Sequence, residues 1–405
     1  MKKKLNVLLV GSGGRESALA WKIKQSRLLE NLFISTARVK KIIKFSVDNK
    51  IDLVVVGPDN YLAEGIVDKL KKQNIKVFGP TKKAAQIEWS KVFAKKFMRD
   101  KGIPTANYKV FSNLDNSLKF SFKQKYPLVI KADGLSFGKG VMIVKSYSEA
   151  EKVLKDIFSK KIFGKSGNKV VIEEFLQGKE ISVHAFCDGT DFKIFPISKD
   201  HKKIYEGDTG PNTGGMGTVA PILSVTKKQI KEIEEKIIIP TLTSLKKSDR
   251  PFTGILFPGV FLTKDGPKVI EFNARFGDPE TQSYMRLLRT DLLEILMSCV
   301  NKKISKQKIV WSKDFACCVV CVSDGYPGKY KTGKLISGID KINDEDVEVF
   351  LAGARKENGN IMTTGGRVFG VTATGKTLQQ ALKKSYVAIE KINYEGKYFR
   401  KDINI

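Results

Sequence analysis

The stretch Val-Ile-Glu-Phe-Asn-Ala-Arg-Phe-Gly-Asp-Pro-Glu at residues 269–280 decides how this chain is interpreted. Side chains alternate between the faces of a strand, so we expect Glu271, Asn273 and Arg275 on one face and the apolar residues before and between them on the other. Two oxygen ligands with phosphate oxygens and water suit Mg²⁺, and a guanidinium suits a developing phosphoryl charge. The alternative is a half-exposed strand with a salt-bridged arginine.

A lysine at the end of an earlier strand points to the same chemistry. Lys131 follows the apolar residues 128–130 and precedes Ala-Asp-Gly-Leu-Ser-Phe-Gly-Lys-Gly at 132–140. Such a lysine can neutralise nucleotide phosphates while a glycine loop folds over them. The Gly-Lys-Ser/Thr ending of a Walker loop is missing. The competing interpretation is an ordinary β-hairpin with a surface lysine.

Two further segments provide polar groups. Residues 170–180 form an apolar strand that ends in carboxylates. The strand edge can bind an adenine, and Glu180 can bind the ribose hydroxyls. Alternatively, these carboxylates belong to an exposed acidic turn. Residues 208–217, called the substrate loop below, read Asp-Thr-Gly-Pro-Asn-Thr-Gly-Gly-Met-Gly and can hold a polyanion or an amino acid, or form a plain surface loop. Just upstream, His201 is the more interesting of the two histidines, and His184 fits a packed core.

The N-terminal region has the pattern of a parallel α/β domain. Apolar runs at 5–10, 51–56 and 75–78 alternate with helical stretches, and Gly-Ser-Gly-Gly-Arg-Glu at 11–16 follows the first. Glu16 occupies the position of the third glycine of a dinucleotide fingerprint, which disfavours NAD. A glycine turn with free N–H groups beside Arg15 instead suits a phosphate.

Composition excludes several classes of protein. No apolar run approaches the roughly 20 residues of a membrane span, and the first run ends too early for a signal peptide, so a cytoplasmic protein without a membrane partner is expected.

The net charge of +29 comes from lysines spread along the whole chain, which predicts a solvated surface rather than a nucleic-acid site. Five cysteines fit a reducing compartment, and Cys317, Cys318 and Cys321 are expected to pack in a core strand rather than to bind zinc.

Further along the chain, turn residues separate other predicted elements. Strands are expected at 128–131, 141–144, 169–173, 181–187, 254–262 and 267–272, and helices at 16–24, 227–245 and 378–392. A length of 405 residues predicts several cores.

Taken together, these motifs resemble the phosphoribosylamine-glycine ligase family of the ATP-grasp superfamily, in order along nearly the whole chain. The resemblance lies in residues 11–16, 79–81, 131–134, 138–140, 173–176, 208–217, 271–281 and 365–368. It implies an α/β and α+β multidomain fold: an N-terminal parallel α/β domain at 1–101, a two-lobed ATP-grasp core at 102–312 with a mobile lid at about 111–180, and a small β-rich domain at 313–405.

The resemblance also implies an ATP-dependent ligation of glycine to phosphoribosylamine in purine synthesis, through glycyl phosphate, by a monomer that binds only small molecules. Catalysis would fall to Arg275, Lys131 and Asp208, and the metal, Mg²⁺ or Mn²⁺, to Glu271 and Asn273. The implied ATP contacts are Lys91, Lys131, Gly138, Lys139, Gly140, Glu173, Glu174, Phe175, Leu176 and Glu180. The implied substrate contacts are Gly13, Gly14, Arg15, Asp208, Thr209, Asn212, Thr213, Gly214, Gly215, Met216, Arg275, Asp278, Lys331, Gly366 and Arg367.

Three departures from the family pattern stand out. Ser17 replaces a histidine and Trp89 a glycine, and the family's Pro-Gly-Asn loop after the second strand is absent, so the chain runs straight into residues 36–50. Three alternatives therefore stay open: another ATP-grasp ligase with a different acid or amine, an inactive nucleotide-binding remnant, and a nucleic-acid binder suggested by the charge.

Overall fold

The computed structural model describes residues 3–135 and 140–404. Its N-terminal region is a four-stranded parallel sheet in the order β2-β1-β3-β4, with helices between the strands. The strands are β1 (Leu5–Val10), β2 (Leu29–Ser35), β3 (Leu53–Val56) and β4 (Lys76–Phe78), and the helices are α1 (Gly14–Ile23), α2 (Val39–Asp48), α3 (Asp59–Ala63), α4 (Ile66–Lys71), α5 (Lys82–Trp89) and α6 (Lys91–Asp100). The parallel sheet expected from the apolar runs is confirmed.

A second sheet follows, antiparallel and with the order β5-β8-β6-β7. It comprises β5 (Tyr108–Phe111), β6 (Leu128–Ala132), β7 (Val141–Val144) and β8 (Val170–Glu174), with helices α7 (Leu114–Phe122) and α8 (Tyr147–Phe158). Helix α8 buries Ala150, Leu154 and Ile157 in a small core of its own with this sheet. The apolar spacing of that helix explains why this lobe folds as a separate layer.

The third sheet contains the strand with Glu271 and Asn273. Its strands are β9 (Lys179–Ser182), β10 (Ala185–Asp188), β11 (Phe192–Ile194), β16 (Thr253–Thr263) and β17 (Gly266–Asn273). The predicted single strand at 181–187 is wrong, because the ladder is interrupted opposite Pro258. Proline has no N–H to donate, and Val183 there keeps only a 3.3 Å bond to the carbonyl of Pro258.

Between these strands lie β12 (Lys199–Asp200), β13 (Lys203–Tyr205), β14 (Thr209–Asn212), β15 (Gly217–Ala220), α9 (Lys227–Ile233) and α10 (Ile239–Lys247). The predicted helix at 227–245 is interrupted by a π-helical segment, Glu234–Ile238. Pro240 stands at the start of α10 and lacks the N–H that a continuous α-helix would need, which accounts for the wider turn. Helices α11 (Glu280–Leu287) and α12 (Leu292–Val300) follow β17.

The C-terminal part is built on a six-stranded sheet in which β12-β15-β18-β23-β20 are neighbours and β24 pairs with β18. Its remaining elements are β18 (Phe315–Ser323), β19 (Leu335–Ile336), β20 (Val347–Leu351), β21 (Ala354–Glu357), β22 (Asn360–Thr363), β23 (Arg367–Gly375), α13 (Leu378–Lys391) and β24 (Lys397–Tyr398). Strands β12 and β15 come from the preceding part of the chain, so the last two regions share one sheet. The three neighbouring cysteines of β18 are buried, as expected for core residues.

Together these sheets confirm the predicted mixed fold class. No helix among residues 3–135 and 140–404 is long and apolar enough to cross a membrane.

Candidate active site

The polar face of β17 lies as the alternation predicts, with one exception. Glu271 and Asn273 are half-buried, whereas Phe272 is buried on the opposite face. A register shift opposite Gly259 and Val260 places Ile270 in a bulge, so the expectation that its side chain shares the buried face is wrong. The bulge has a use, since the carbonyl of Ile270 accepts a 2.9 Å hydrogen bond from Lys131 Nζ.

Lys131 forms part of a buried three-residue ion cluster. Its Nζ lies 3.1 Å from Glu173 Oε2, and Nζ of Lys95 lies 2.9 Å from the same oxygen. All three side chains are at most 3% exposed. Burial lowers the pKa of Lys95 to about 8. Two ammonium groups on one carboxylate leave this cluster with a cation in excess, which favours an anionic ligand.

Glu271 lies among further cations. Burial alone would raise the pKa of its carboxyl, but Lys202, Lys131 and Lys91 outweigh burial and lower it. The group is therefore ionised at neutral pH. Lys91 also donates from Nζ to the carbonyl of Gly134 at 3.0 Å. We call Lys91, Lys95, Lys131, Glu173, Glu271 and Asn273 the phosphate cluster.

The donor set of the phosphate cluster fits a hard divalent cation. Glu271 offers an ionised carboxylate and Asn273 an amide oxygen, the ligand types that Mg²⁺ prefers. Among the described residues there is no group of three or more His, Cys, Asp or Glu side chains that could form an all-protein metal cage. A cation here would therefore share its coordination with substrate oxygens, as is usual for Mg²⁺ at nucleotide sites.

Arg275 lies beside Asn273 but not on the strand. Strand β17 ends at Asn273, close to the predicted strand 267–272, so the alternation expected to place Arg275 on the strand face does not reach that far. Beyond the end of the strand, Glu88 of α5 bonds both residues that follow Asn273. Its Oε2 accepts from the N–H of Ala274 at 2.9 Å, and its Oε1 lies 3.1 Å from Arg275 Nε. The guanidinium also donates to Asn273 Oδ1 at 3.1 Å. Glu88 thus fixes Arg275 next to the candidate metal ligand.

The segment predicted to bind the adenosine part of ATP lies at the end of β8. Glu174 accepts from the backbone N–H and the side-chain amide of Asn107 at 3.0 and 3.1 Å. Phe175 is 37% exposed, and Leu176 is half-buried. Glu180 is paired with Lys202. A ligand hydroxyl at Glu180 would have to share its carboxylate with this lysine.

The predicted substrate residues meet where three parts of the chain join. Arg367 donates from Nη1 to the carbonyls of Gly214 and Asp278 at 2.7 and 2.8 Å, and its Nη2 lies 3.0 Å from Asp278 Oδ2. Tyr326 accepts from the N–H of Gly214 at 3.0 Å. Arg15 of α1 donates from Nη1 to the carbonyl of Phe276 at 3.1 Å. We call Arg15, Gly214, Asp278, Tyr326 and Arg367 the interdomain junction.

The glycine turn of the N-terminal region lies against this junction. A Cβ atom on Gly13 would stand 3.7 Å from Asp278 Oδ2, and one on Gly14 3.5 Å from Asp278 Oδ1. The prediction that the N–H groups of this turn are free is wrong for Gly13, because its N–H donates to Glu16 Oε2 at 2.7 Å. Glu16, which replaces the third glycine of a dinucleotide fingerprint, thus caps its own helix.

The rest of the substrate loop is ordered by neighbouring chain segments. Asp208 Oδ1 lies 2.8 Å from Arg400 Nη1. Thr209 and Asn212 lie on β14 and pair with Tyr205 and Lys203 of β13. Within the loop, Thr213 donates to the carbonyl of Lys202, Gly215 donates to Thr213 Oγ1, and Met216 is fully buried.

Two predicted substrate contacts lie in the C-terminal part. Gly366 adjoins the ring of Tyr326. Lys331 lies on an exposed loop, where its charge acts on Glu395.

The predicted ATP contacts in the glycine loop are only partly covered. Gly138 and Lys139 lie outside the described residues. Gly140 accepts through its carbonyl from the N–H of Ala132 at 2.9 Å, which closes the hairpin between β6 and β7.

Several residues that shape the site were missed by the sequence reasoning. Lys95 follows Lys91 by one helical turn, a spacing that puts both on one face of α6 and could have identified it. Glu88, Lys202, Tyr326 and Arg400 carry no local signal, because their partners are far away in the sequence.

Comparisons with known proteins show the family to which the chain belongs. Three family models match: the N domain of phosphoribosylglycinamide synthetase at residues 5–88, its ATP-grasp (A) domain at 89–281 and its C domain at 316–404. The chain is 46% identical to a phosphoribosylamine–glycine ligase from Caldanaerobacter subterraneus subsp. tengcongensis, over 98% of this chain and 99% of that protein. It is 44% identical to the ligase of that name from Clostridium acetobutylicum, over 98% and 99%.

Solved structures give the same result. The phosphoribosylamine–glycine ligase of Thermotoga maritima superimposes with a TM-score of 0.82 at 35% identity, covering 99% of this chain and 100% of that one. A biotin carboxylase from Campylobacter jejuni reaches a TM-score of 0.74 at 15% identity, covering 98% and 94%, which shows a shared fold alone.

Proposed function

The chain belongs to the phosphoribosylglycinamide synthetase family, and we propose that it joins glycine to phosphoribosylamine, using ATP, through an enzyme-bound glycyl phosphate. It is an ATP-dependent carbon–nitrogen ligase of purine biosynthesis, as the motif resemblance predicted. The observation that carries the proposed mechanism is the Lys131 ammonium bonded to the strand bulge directly before Glu271. One buried site thereby holds a phosphate-seeking cation next to a metal-seeking carboxylate.

Glycine needs activation because its carboxylate is a poor acyl donor. In the first step an oxygen of that carboxylate attacks the γ-phosphorus of ATP; the bond to the β–γ bridging oxygen breaks, and ADP leaves. In the second step the amine of phosphoribosylamine attacks the carbonyl carbon of glycyl phosphate. The carbon–oxygen bond to phosphate breaks, phosphate leaves with that oxygen, and the new amide nitrogen loses a proton to water.

The phosphate cluster suits the first step. Lys131 would contact the phosphates with the N–H groups that bond Glu173 and the carbonyl of Ile270 in the free protein. Lys95 would then still compensate the charge of Glu173. Bound at Glu271 and Asn273, Mg²⁺ or Mn²⁺ would neutralise phosphate oxygens. Arg275, held by Glu88, stands next to Asn273 and would stabilise the charge on the transferring phosphoryl group. These groups act by positioning and by charge, so they need no covalent chemistry of their own.

The interdomain junction suits the second step. The glycine turn before α1 adjoins Asp278 there, and Arg367 ties Gly214 of the substrate loop to the same Asp278. Arg15 and Arg367 would attract a sugar phosphate, and the excess of lysines strengthens that field over the whole surface. We further propose that the protein works in the cytoplasm as a monomer with small-molecule substrates only.

The route through glycyl phosphate is tested with glycine labelled by ¹⁸O in both carboxylate oxygens. Each turnover is expected to transfer one labelled oxygen to inorganic phosphate, which mass spectrometry of the released phosphate measures. Unlabelled phosphate with full amide formation would contradict the acyl phosphate. The variant Glu271→Gln, which keeps the size of the side chain but removes the charge, is expected to release almost no phosphate.

Turnover and binding measurements separate the alternatives. Turnover with another acid or amine in place of glycine or phosphoribosylamine would identify a different ATP-grasp ligase. ATP binding without turnover would identify a remnant. Tight DNA binding that weakens steeply with salt would support a nucleic-acid binder.

A further inference from the structure

Arg400, close to the end of the chain, is a charged side chain with only 1% of its surface exposed. Its Nη1 donates to the carbonyl of Lys203 at 3.0 Å and to Asp208 Oδ1 at 2.8 Å. Its Nε and Nη2 donate to the two oxygens of Asp402, each at 2.7 Å. These bonds to Arg400 lower the pKa of Asp402 to about 2. A guanidinium with this set of partners is held in one orientation.

Backbone groups around Arg400 bind the residues that lead into the substrate loop. The N–H of Gly207 donates to Asp402 Oδ2 at 2.8 Å, and the N–H of Lys401 donates to Glu206 Oε1 at 3.1 Å. The N–H of Asn404 donates to His201 Nε2 at 3.2 Å. We call residues 400–404 the C-terminal segment. It holds β13 and the turn that joins β13 to β14, at the start of the substrate loop.

The loop also needs such support on conformational grounds. Asp208 has φ +52°, a left-handed conformation that is unfavourable for a residue with a side chain. At the other end of the loop, a Cβ atom on Gly217 would stand 2.7 Å from the side chain of Ile403. The C-terminal segment therefore contacts the loop at its first and last residues.

The part of the loop between these anchors contacts residues of the proposed binding sites. Thr213 donates to the carbonyl of Lys202, whose side chain pairs with Glu180, and Gly214 bonds to Arg367 and Tyr326. The loop thus joins the proposed ribose end of the ATP site to the interdomain junction. A shift of its anchored end would act mainly on the junction, because Gly214 bonds Arg367 and Tyr326 directly, whereas the loop reaches Glu180 only through Lys202.

We propose that Arg400 is a positioning residue of the ligase, which holds Asp208 and the substrate loop in their binding shape through the C-terminal segment. This inference rests on the proposed function. Arg400 itself touches no substrate; it acts through Asp208 and through the loop backbone. The C-terminal segment, far in sequence from the first glycine turn, thereby supports the proposed binding site for glycine and phosphoribosylamine.

The test compares Arg400→Lys and Arg400→Ala with Arg355→Ala, which changes an exposed arginine of β21 that pairs with Glu357 of the same strand. Arg400→Ala is expected to raise KM for glycine or phosphoribosylamine roughly ten- to hundred-fold, the size expected when charged hydrogen bonds are lost. KM for ATP should stay within about two-fold. Arg400→Lys keeps the charge but not the fork of donors, so it should fall between parent and Arg400→Ala. Arg355→Ala should match the parent.

Hydrogen exchange of residues 203–217 in the substrate-free protein gives a readout that does not depend on activity. Exchange there should quicken in both Arg400 variants while it stays unchanged in β17. Should Arg400→Ala fail to fold, Asp402→Asn keeps the guanidinium and removes the charge of its partner, and a smaller change in the same direction is expected. Unchanged exchange in the loop, or unchanged KM for both glycine and phosphoribosylamine in a folded variant, would overturn the inference. A parent without ligase activity whose variants still show faster loop exchange would instead refute the proposed function.

Discussion

The phosphate cluster and the interdomain junction serve the two halves of one reaction but are built differently. The phosphate cluster draws its charged groups from β6, β8, β17 and α6, elements of the middle of the chain with strong local patterns. The interdomain junction joins Arg15, Gly214, Asp278 and Arg367, which come from the N-terminal, middle and C-terminal parts. The first depends on buried charges within neighbouring sheets. The second depends on how whole regions dock.

This difference makes separate predictions for stability and for catalysis. Substitutions in the buried ion pairs of the phosphate cluster should lower both the free energy of unfolding and the affinity for ATP. Changes at the junction should affect the other two substrates and leave ATP binding nearly intact.

The largest effect is expected from Glu173→Gln. This change leaves the ammonium groups of Lys95 and Lys131 buried without their carboxylate, which should lower the free energy of unfolding by about 3–5 kcal/mol. Lys131→Met should have a clearly smaller effect on stability, because Lys95 still pairs with Glu173. Urea unfolding of the three proteins measures the order. A Lys131→Met protein less stable than Glu173→Gln would contradict the shared-carboxylate account.

Next in size is the loss of the candidate metal ligand. Glu271→Gln should lower kcat roughly 10²- to 10³-fold, the loss seen when a group that stabilises developing charge is removed. Steady-state release of ADP measures it, with the exposed carboxylate variant Glu30→Gln on β2 as the matched control. Near-normal turnover in Glu271→Gln would remove Glu271 from the mechanism.

A pH effect of intermediate size is expected at His201, which adjoins the C-terminal segment. Burial lowers its pKa to about 4, from the ordinary 6.5. Between pH 4 and pH 6.5, the unfolded chain therefore binds a proton at His201 that the folded chain does not bind. The contribution of neutral His201 to the free energy of unfolding is complete above pH 6.5 and is lost as pH falls towards 4. The loss is at most about 3 kcal/mol.

His201→Gln should remove that part of the pH dependence, because glutamine can still accept from the N–H of Asn404 but does not titrate. Urea unfolding of both proteins at pH 7.5 and pH 4.5 measures the difference. Parallel losses in the two proteins would show that His201 is protonated without penalty.

The smallest effect is expected at the junction. Arg367→Lys lacks the planar fork of donors that bonds Gly214 and Asp278, so KM for phosphoribosylamine should rise by about ten-fold with little change in KM for ATP. Arg355→Lys, an exposed arginine of β21, is the control. An equal rise in KM for ATP would show that the junction and the phosphate cluster are not separable.

The same comparison explains what the sequence could predict. Alternation along β17 and the lysine that ends the β6 pattern are local signals, and both led to residues of the phosphate cluster. Local patterns failed where a neighbouring strand or helix changes the strand. Opposite β16, Ile270 lies in a bulge and the ladder is interrupted at Val183, next to Pro258. At Ala274 the strand has ended, and the backbone N–H bonds to Glu88 of α5 instead.

That the residues of the junction form one site could be predicted only through family resemblance. Motifs placed Gly214, Asp278 and Arg367 in a common site, but no local pattern connects residues so far apart. Arg400 and Tyr326 lay outside every recognised motif, because their roles come from the docking of the C-terminal part onto the substrate loop.

The most direct test of the account is a crystal structure of the protein with Mg²⁺ and an ATP analogue whose β–γ bridge is an imido group. The account predicts the γ-phosphate in contact with Lys131 Nζ, and the metal bound by Glu271 and Asn273 on its other side. A nucleotide whose phosphates lie away from Lys131, or a metal that touches neither Glu271 nor Asn273, would contradict it.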